Sequence, residues 1–199
     1  MKNFLPAFCV WGLFALTGCA PDAPDERAHH PLPEGAEITD HPPGQTGGSF
    51  VYTLPMEPRT FNALIAEDAY AAQIIALMLP GLTTLDPFTQ KPKGELAHSW
   101  EISEDRKSYT VRLREGLKWS DGAPFTADDV VFTFDTIFAK DIPNRYRQQY
   151  TIGGQPLRYE KIDAHTLRFS TAKPYAPFLN DLGFISILPK HKLERFVKD

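Results

Sequence analysis

The chain has 199 residues, of which 42% are hydrophobic, and this predicts one globular domain, or one and part of another, rather than a disordered chain. Its 21 basic and 25 acidic residues give a formal net charge of -4 without a basic cluster, so its surface is unsuited to nucleic acid. Both cysteines, Cys9 and Cys19, lie in the first twenty residues, which excludes a disulfide scaffold.

The N-terminus has the pattern of an export signal. Residues 4–20 (FLPAFCVWGLFALTGCA) carry no charge and follow the cationic Lys2. This run is shorter than the about 20 residues that a membrane-spanning helix needs. Residues 16–19 (LTGC) resemble the lipobox of bacterial lipoproteins, in which the cysteine is acylated and becomes the mature N-terminus. We therefore expect a signal peptide over residues 1–18 and a lipid on Cys19, the alternative being a buried cysteine in an ordinary apolar segment.

A segment rich in proline, glycine and acidic residues follows the lipobox. It has no aromatic residue before Phe50 and cannot form a core, so we expect a lipidated, flexible tether over residues 19–48. Three histidines in it, His29, His30 and His41, could bind a metal, but without a fixed scaffold we interpret them as solvated. In a Gram-negative host, Ala20 after Cys19 would indicate the outer membrane by analogy with lipoprotein sorting, whereas the sequence alone leaves open which membrane holds the anchor.

Residues 49–199 are expected to form the globular body. Aromatic and β-branched residues predict a strand over residues 49–54, and an apolar stretch after Asp68 predicts a buried helix over residues 69–79. A short strand over residues 82–85, a loop over 86–94 and an extended segment over 96–102 follow. Over residues 109–113 apolar and polar residues alternate, which predicts a strand with one face towards solvent. A hairpin over residues 157–162 and 166–169 and short helices from Pro177 and near His191 complete an α/β or α+β pattern.

One helix start is predicted from local sequence alone. Thr126 and Asp129 have the spacing of a capping box, and Phe125 and Val130 have that of a hydrophobic staple. Asp128 and Asp129 could instead form an acid–base pair, but a helix start explains them more simply. The dipeptide at residues 121–122 (DG) predicts a tight turn.

The same region carries a family resemblance. Residues 96–138, above all 118–122 (KWSDG) and 125–130 (FTADDV), resemble the family 5 extracellular solute-binding proteins, which include oligopeptide, dipeptide, nickel and heme binding subunits of ABC importers. Weaker matches occur at residues 57–62, 162–167, 173–175 and 187–191. The resemblance implies an α/β, type II periplasmic-binding-protein-like fold with mixed sheets and helices. Because family members are more than twice as long as this chain, we expect the chain to contain an incomplete version of this fold, namely most of one lobe.

The resemblance also implies where a ligand would bind. Residues shortly after the family's Pro-x-Thr-Leu-Asn segment border its cleft, and here these are Ala66, Glu67, Asp68 and Tyr70. An extended backbone there could pair with an extended peptide, and a carboxylate could hold a cationic group. Alternatively, Asp68 only caps its helix and Tyr70 only packs.

The function implied is that of an ABC importer's binding lipoprotein in the cell envelope, which captures extended oligopeptides and delivers them to permease subunits. The resemblance implies no enzyme activity, no cofactor and no metal. The same scaffold could bind nickel, heme, a sugar or an opine instead. An envelope hydrolase is the rival from another class, but the sequence has no Gly-x-Ser-x-Gly elbow, His-Glu-x-x-His helix or P-loop. A second rival is an envelope lipoprotein that has lost transport.

Overall fold

The computed structural model describes residues 47–197. The predicted signal peptide, Cys19, the three histidines at positions 29, 30 and 41 and nearly all of the predicted tether lie outside the described residues. Five helices and eight strands form the described part. The helices are α1 Ala69–Met78, α2 Ala127–Phe138, α3 Tyr146–Gln149, α4 Phe178–Phe184 and α5 Lys190–Val197. The strands are β1 Thr83–Leu85, β2 Pro92–Gly94, β3 Ala97–Ile102, β4 Ser108–Leu113, β5 Thr151–Ile152, β6 Gln155–Pro156, β7 Arg158–Lys161 and β8 Thr166–Ser170.

A four-stranded sheet in the order β3-β4-β8-β7 forms the centre of the described part. Every strand pairing between residues 47 and 197 is antiparallel, so the sheets here are not mixed in direction. On β4, Tyr109, Val111 and Leu113 are buried, and Val111 pairs with Leu167 of β8. The alternation in the sequence therefore predicted correctly which face of β4 is buried.

Aromatic rings join the buried face of this sheet to two helices. Phe169 of β8 lies between Phe134 of α2 and Phe178 of α4, with ring centroids 5.4 and 5.6 Å away. Tyr109 of β4 packs on Phe178 at 4.4 Å. Rings of this size bury large apolar areas, and tilted or edge-on pairs add about 0.5–1.5 kcal/mol each. Helices α2 and α4 are thus held on one face of the sheet.

The predicted start of α2 is confirmed. Thr126 is the N-cap, and the capping box with Asp129 is complete. Phe125 and Val130 are both buried, as expected for a hydrophobic staple. Asp128 and Asp129 lie in the first turn, where the helix dipole favours negative charge.

Three sequence predictions in the N-terminal part are wrong. Residues 49–54 form no strand, and Phe50 and Val51 are 90% and 82% exposed, because strand composition needs a hydrogen-bonding partner that residues 47–197 do not provide. Helix α1 is not buried all round: Leu77 is 81% exposed, and Ala71 and Ile75 are the buried residues of this helix. The loop predicted over residues 86–94 ends in β2, which pairs with β1.

Candidate functional site

A groove of about 340 Å³ lies between α1, the start of β1 and the end of α4. Small residues form much of its wall: Ala63, Ala66, Ala72, Ala76, Gly81 and Gly183. Short side chains leave backbone groups within reach of a bound molecule, as recognition of a peptide main chain requires. The groove is therefore the candidate binding site within residues 47–197.

Two glycines set the floor of this groove. A Cβ atom on Gly81 would lie 2.6 Å from the Gly183 carbonyl oxygen, and one on Gly183 would lie 2.6 Å from the Thr83 carbonyl oxygen. The Leu82 N–H donates to the Leu182 carbonyl at 3.0 Å, which holds β1 against α4. Only residues without a side chain allow these two backbones to approach so closely.

The charged groups that line the groove are one acid, Glu95, and one base, Arg145. The Arg145 guanidinium lies 4.8 Å from the ring centroid of Tyr146 and donates to its hydroxyl at 2.9 Å. The Tyr146 hydroxyl in turn donates to the Phe184 carbonyl at 3.4 Å. The Arg145 backbone N–H donates to the Leu64 carbonyl, so Arg145 is tied to the segment that leads into α1.

Of the four residues that the sequence predicted to bind ligand, one lines this groove. Ala66 does so, although it is itself only 1% exposed and follows a turn in which its N–H donates to the Asn62 carbonyl. Asp68 is the N-cap of α1, and its carboxylate accepts from the Ala71 N–H at 2.7 Å. Glu67 is exposed and Tyr70 is half-buried, and neither lines the groove.

Several residues that line the groove were not predicted as site residues. Glu95, Arg145 and Phe184 come from three distant parts of the chain and meet only through the packing of α1, β1 and α4. No spacing rule connects them, because helical and strand periodicities relate only residues that are near in sequence.

A larger cavity of about 710 Å³ lies beside the family motif and is lined by Trp119, Asp121, Phe125 and His191, among others. Trp119 packs edge-on against Phe125 with ring centroids 5.8 Å apart. Asp121 shapes the predicted turn by accepting from the Ala123 N–H at 3.1 Å. Both contacts join residues of the motif to one another, so these residues stabilise the local structure.

Asp121 has a second role that the turn signal did not reveal. Its Oδ2 lies 2.8 Å from both His191 Nε2 and Lys192 Nζ on α5. Hydrogen bonds from Lys192 and His191, and from the Ala123 N–H, hold the pKa of this carboxyl well below its ordinary value of 3.8. The turn is thereby attached to the first part of α5.

Residues 91–199 match the family model described as "Bacterial extracellular solute-binding proteins, family 5 Middle". The match covers more than half of the chain. The chain belongs to family 5 of the bacterial extracellular solute-binding proteins. This confirms the resemblance seen in the motifs at residues 118–122 and 125–130.

Three members or solved neighbours of this family illustrate the similarity. The dipeptide-binding protein of Escherichia coli K12 is 40% identical over 121 residues, which is 52% of this chain and 22% of that protein. The oligopeptide-binding protein AppA of Bacillus subtilis, solved with a nonapeptide, is 30% identical with a TM-score of 0.61, covering 69% of this chain and 27% of AppA. NikZ of Campylobacter jejuni, solved with Ni(L-His), is 31% identical with a TM-score of 0.60, covering 70% of this chain and 27% of NikZ.

These neighbours confirm the predicted fold class, a portion of a type II periplasmic-binding-protein fold. The family 5 chain spans between 22% and 31% of the length of the curated relatives it matches. Between residues 47 and 197, no helix has the length and apolar character to cross a bilayer. The same residues contain no group of three or more His, Cys, Asp or Glu side chains that could hold a metal ion.

Proposed function

We propose that this chain is part of a substrate-binding lipoprotein of an ABC importer, which captures extended oligopeptides and delivers them to a permease. The groove beside Ala66 carries the proposal, because it combines small-residue walls with one acidic and one basic side chain. A peptide main chain offers amide donors, carbonyl acceptors and charged termini, and such a groove is complementary to these groups. The similarity to a dipeptide-binding protein and to AppA, which was solved with a nonapeptide, supports this ligand class.

The other predicted ligand-binding residues belong to the same proposal. Glu67 is exposed next to the start of α1, where its carboxylate can hold a cationic group of the ligand. Tyr70 and Asp68 lie on the following turn. Contacts through the main chain and through bridging water would make binding tolerant of peptide sequence, without catalysis.

Titration calorimetry of the full-length mature protein with a broad set of tripeptides and pentapeptides tests peptide binding. We expect heat of binding for many unrelated sequences, and no hydrolysis of the peptides afterwards. Absence of binding across the set would contradict the proposed ligand class, and cleavage of the peptides would favour a hydrolase.

A pair of tryptophan variants tests whether the groove is the site. Ala76 is exposed and lines the groove, whereas the adjacent Leu77 is exposed and does not. We expect Ala76→Trp to lower peptide affinity at least tenfold by filling the groove, and Leu77→Trp to leave it unchanged. Equal affinities for the two variants would place the site elsewhere.

A nickel–histidine complex is the second ligand that the similarity to NikZ favours. Titration calorimetry also distinguishes this ligand from peptides, since a nickel-binding protein would bind Ni(L-His) and would not bind free tripeptides. Binding of Ni(L-His) alone would keep the solute-binding function and replace the peptide by a chelated amino acid.

Membrane attachment through Cys19 completes the proposal. The lipobox at residues 16–19 motivates it, and incorporation of labelled palmitate in the native host measures it. We expect Cys19→Ala to abolish labelling and Cys9→Ala to retain it. Delivery to a permease is tested by uptake of a labelled tripeptide, which should fall when the gene is deleted.

A further inference from the structure

Arg145 presents a positive charge that no acidic side chain neutralises within the described part of the chain. The side chain is exposed and lines the groove, and its guanidinium donates a hydrogen bond to the Tyr146 hydroxyl at 2.9 Å. Stacking over the Tyr146 ring restricts the guanidinium to one side of the groove. An arginine held in this way has hydrogen-bond donors left for another molecule.

The neighbouring Arg147 is used differently. Its guanidinium donates to the carbonyl groups of Ile137, in the last turn of α2, and of Ala139 and Ile142, which follow that helix. Those carbonyls are at the negative end of a helix, so Arg147 stabilises the fold. Arg145 has no such role, and its structural contact is made by its backbone N–H to Leu64.

We propose that Arg145 binds a carboxylate of the ligand, so that the groove selects peptides carrying a free carboxylate near the bound segment. This inference rests on the proposed function and adds the charge that the ligand must present. A guanidinium is always protonated and offers paired donors that match the two oxygens of a carboxylate. Tyr146 holds the group in place before the ligand arrives, which lowers the entropy lost on binding.

The carboxylate could be the peptide C-terminus or an acidic side chain, and three peptides distinguish these sources. They are Ala-Ala-Ala, its C-terminal amide, and Ala-Asp-Ala with a C-terminal amide. Affinities for the full-length mature protein are compared with those of Arg145→Gln, which keeps a polar side chain of similar reach. Arg158→Gln is the matched control, because Arg158 is exposed on β7 and does not line the groove.

We expect the unmodified protein to bind the free-acid peptide about 10- to 100-fold more tightly than its amide, the range for a charge-assisted hydrogen bond. The Arg145→Gln variant should bind the two with equal affinity, while Arg158→Gln keeps the difference. If the aspartate of the third peptide restores tight binding, and this restoration also needs Arg145, the anchored group is a side-chain carboxylate.

Two results overturn the inference, and they differ in what else they overturn. If the acid, the amide and the aspartate-containing amide all bind equally to the unmodified protein, or if Arg145→Gln keeps the preference for a peptide with a carboxylate, Arg145 is not the anchor and the peptide-binding function stands. If no peptide binds, the proposed function fails and the inference fails with it. Unfolding midpoints of both variants equal to that of the unmodified protein show that folding is intact.

Discussion

Asp129 of α2 accepts the first backbone N–H of α5, that of Lys190, through its Oδ1 at 2.9 Å. The other carboxylate oxygen, Oδ2, accepts the Thr126 N–H at 3.0 Å in the capping box. A single buried carboxylate therefore satisfies backbone donors at the start of two helices that lie about sixty residues apart in sequence. A second link runs parallel to it, because Thr133 Oγ1 accepts the Leu188 N–H at 2.9 Å.

Replacing Asp129 by alanine should destabilise the protein by about 2–4 kcal/mol, since two backbone donors lose a charged acceptor in a buried position. Asp129→Asn should cost less, because the amide keeps one oxygen acceptor. Urea unfolding at pH 7 measures both.

Asp128→Ala is the control for this prediction. Asp128 lies in the same turn, and its carboxylate pairs with Lys161 at 2.7 Å on the surface. A surface pair of this kind contributes about 0–1 kcal/mol. Equal losses for the alanine variants at positions 128 and 129 would contradict the bridging role of Asp129.

The close approach of Gly183 to the Thr83 carbonyl leads to a second prediction about stability. Alanine at position 183 would gain up to about 1 kcal/mol of helix propensity in α4, yet its Cβ would lie 2.6 Å from a backbone oxygen that cannot move alone. Overpacking of this kind costs about 1–3 kcal/mol, so we expect Gly183→Ala to lower the free energy of unfolding. Ala176→Ser, an exposed change just before α4, should leave it unchanged. A stabilised Gly183→Ala variant would show that the backbones separate without cost.

Local sequence signals predicted the elements that depend on neighbours in the chain. The capping box at Thr126 and Asp129, the alternation on β4 and the turn at Gly122 were all found in the structure. Each arises from interactions that span a few residues, so a sequence window contains all the participants.

Features that depend on distant partners could not be predicted in this way. The composition of residues 49–54 favours a strand, but pairing depends on a partner elsewhere. The nearly all-apolar pattern of α1 does not tell which side packs, and only Ala71 and Ile75 are buried. In the candidate site, Ala66 was predicted through the family resemblance. Arg145 was not, because it lines the groove through the packing of segments that are distant in sequence, including the hydrogen bond from its backbone N–H to the Leu64 carbonyl.

The ion pairs of Asp121 predict a dependence of stability on pH. Lys192 and His191 keep the pKa of Asp121 below 3.8 in the folded protein, so the unfolded chain takes up this proton more readily. The stabilisation from the charged Asp121 carboxylate is therefore fully present above about pH 3.8 and is lost as the pH falls below this value. Asp121→Asn should have a lower melting temperature than the unmodified protein at pH 7, and the difference should shrink between pH 4 and pH 2.5.

Asp141→Asn is the matched control for this titration. Asp141 is exposed, and no ion pair involves it within residues 47–197. Its melting temperature should follow that of the unmodified protein at every pH. A difference for Asp121→Asn that stays constant from pH 7 to pH 2.5 would mean that the turn geometry, and not the charge, is responsible.

The two arginines that precede β5 should differ in what their loss affects. Arg147→Ala removes a charged donor from three carbonyl groups in and after the last turn of α2 and leaves those groups partly unsatisfied. We therefore expect a loss of about 1.5–3 kcal/mol in unfolding free energy. Arg145→Ala removes an exposed side chain whose hydrogen bond and ring contact are both with Tyr146, and should cost less than about 1 kcal/mol. Chemical denaturation of both variants at pH 7 makes the comparison. A larger loss for Arg145 than for Arg147 would mean that Arg145 supports the fold, which would leave its guanidinium less free to bind a ligand.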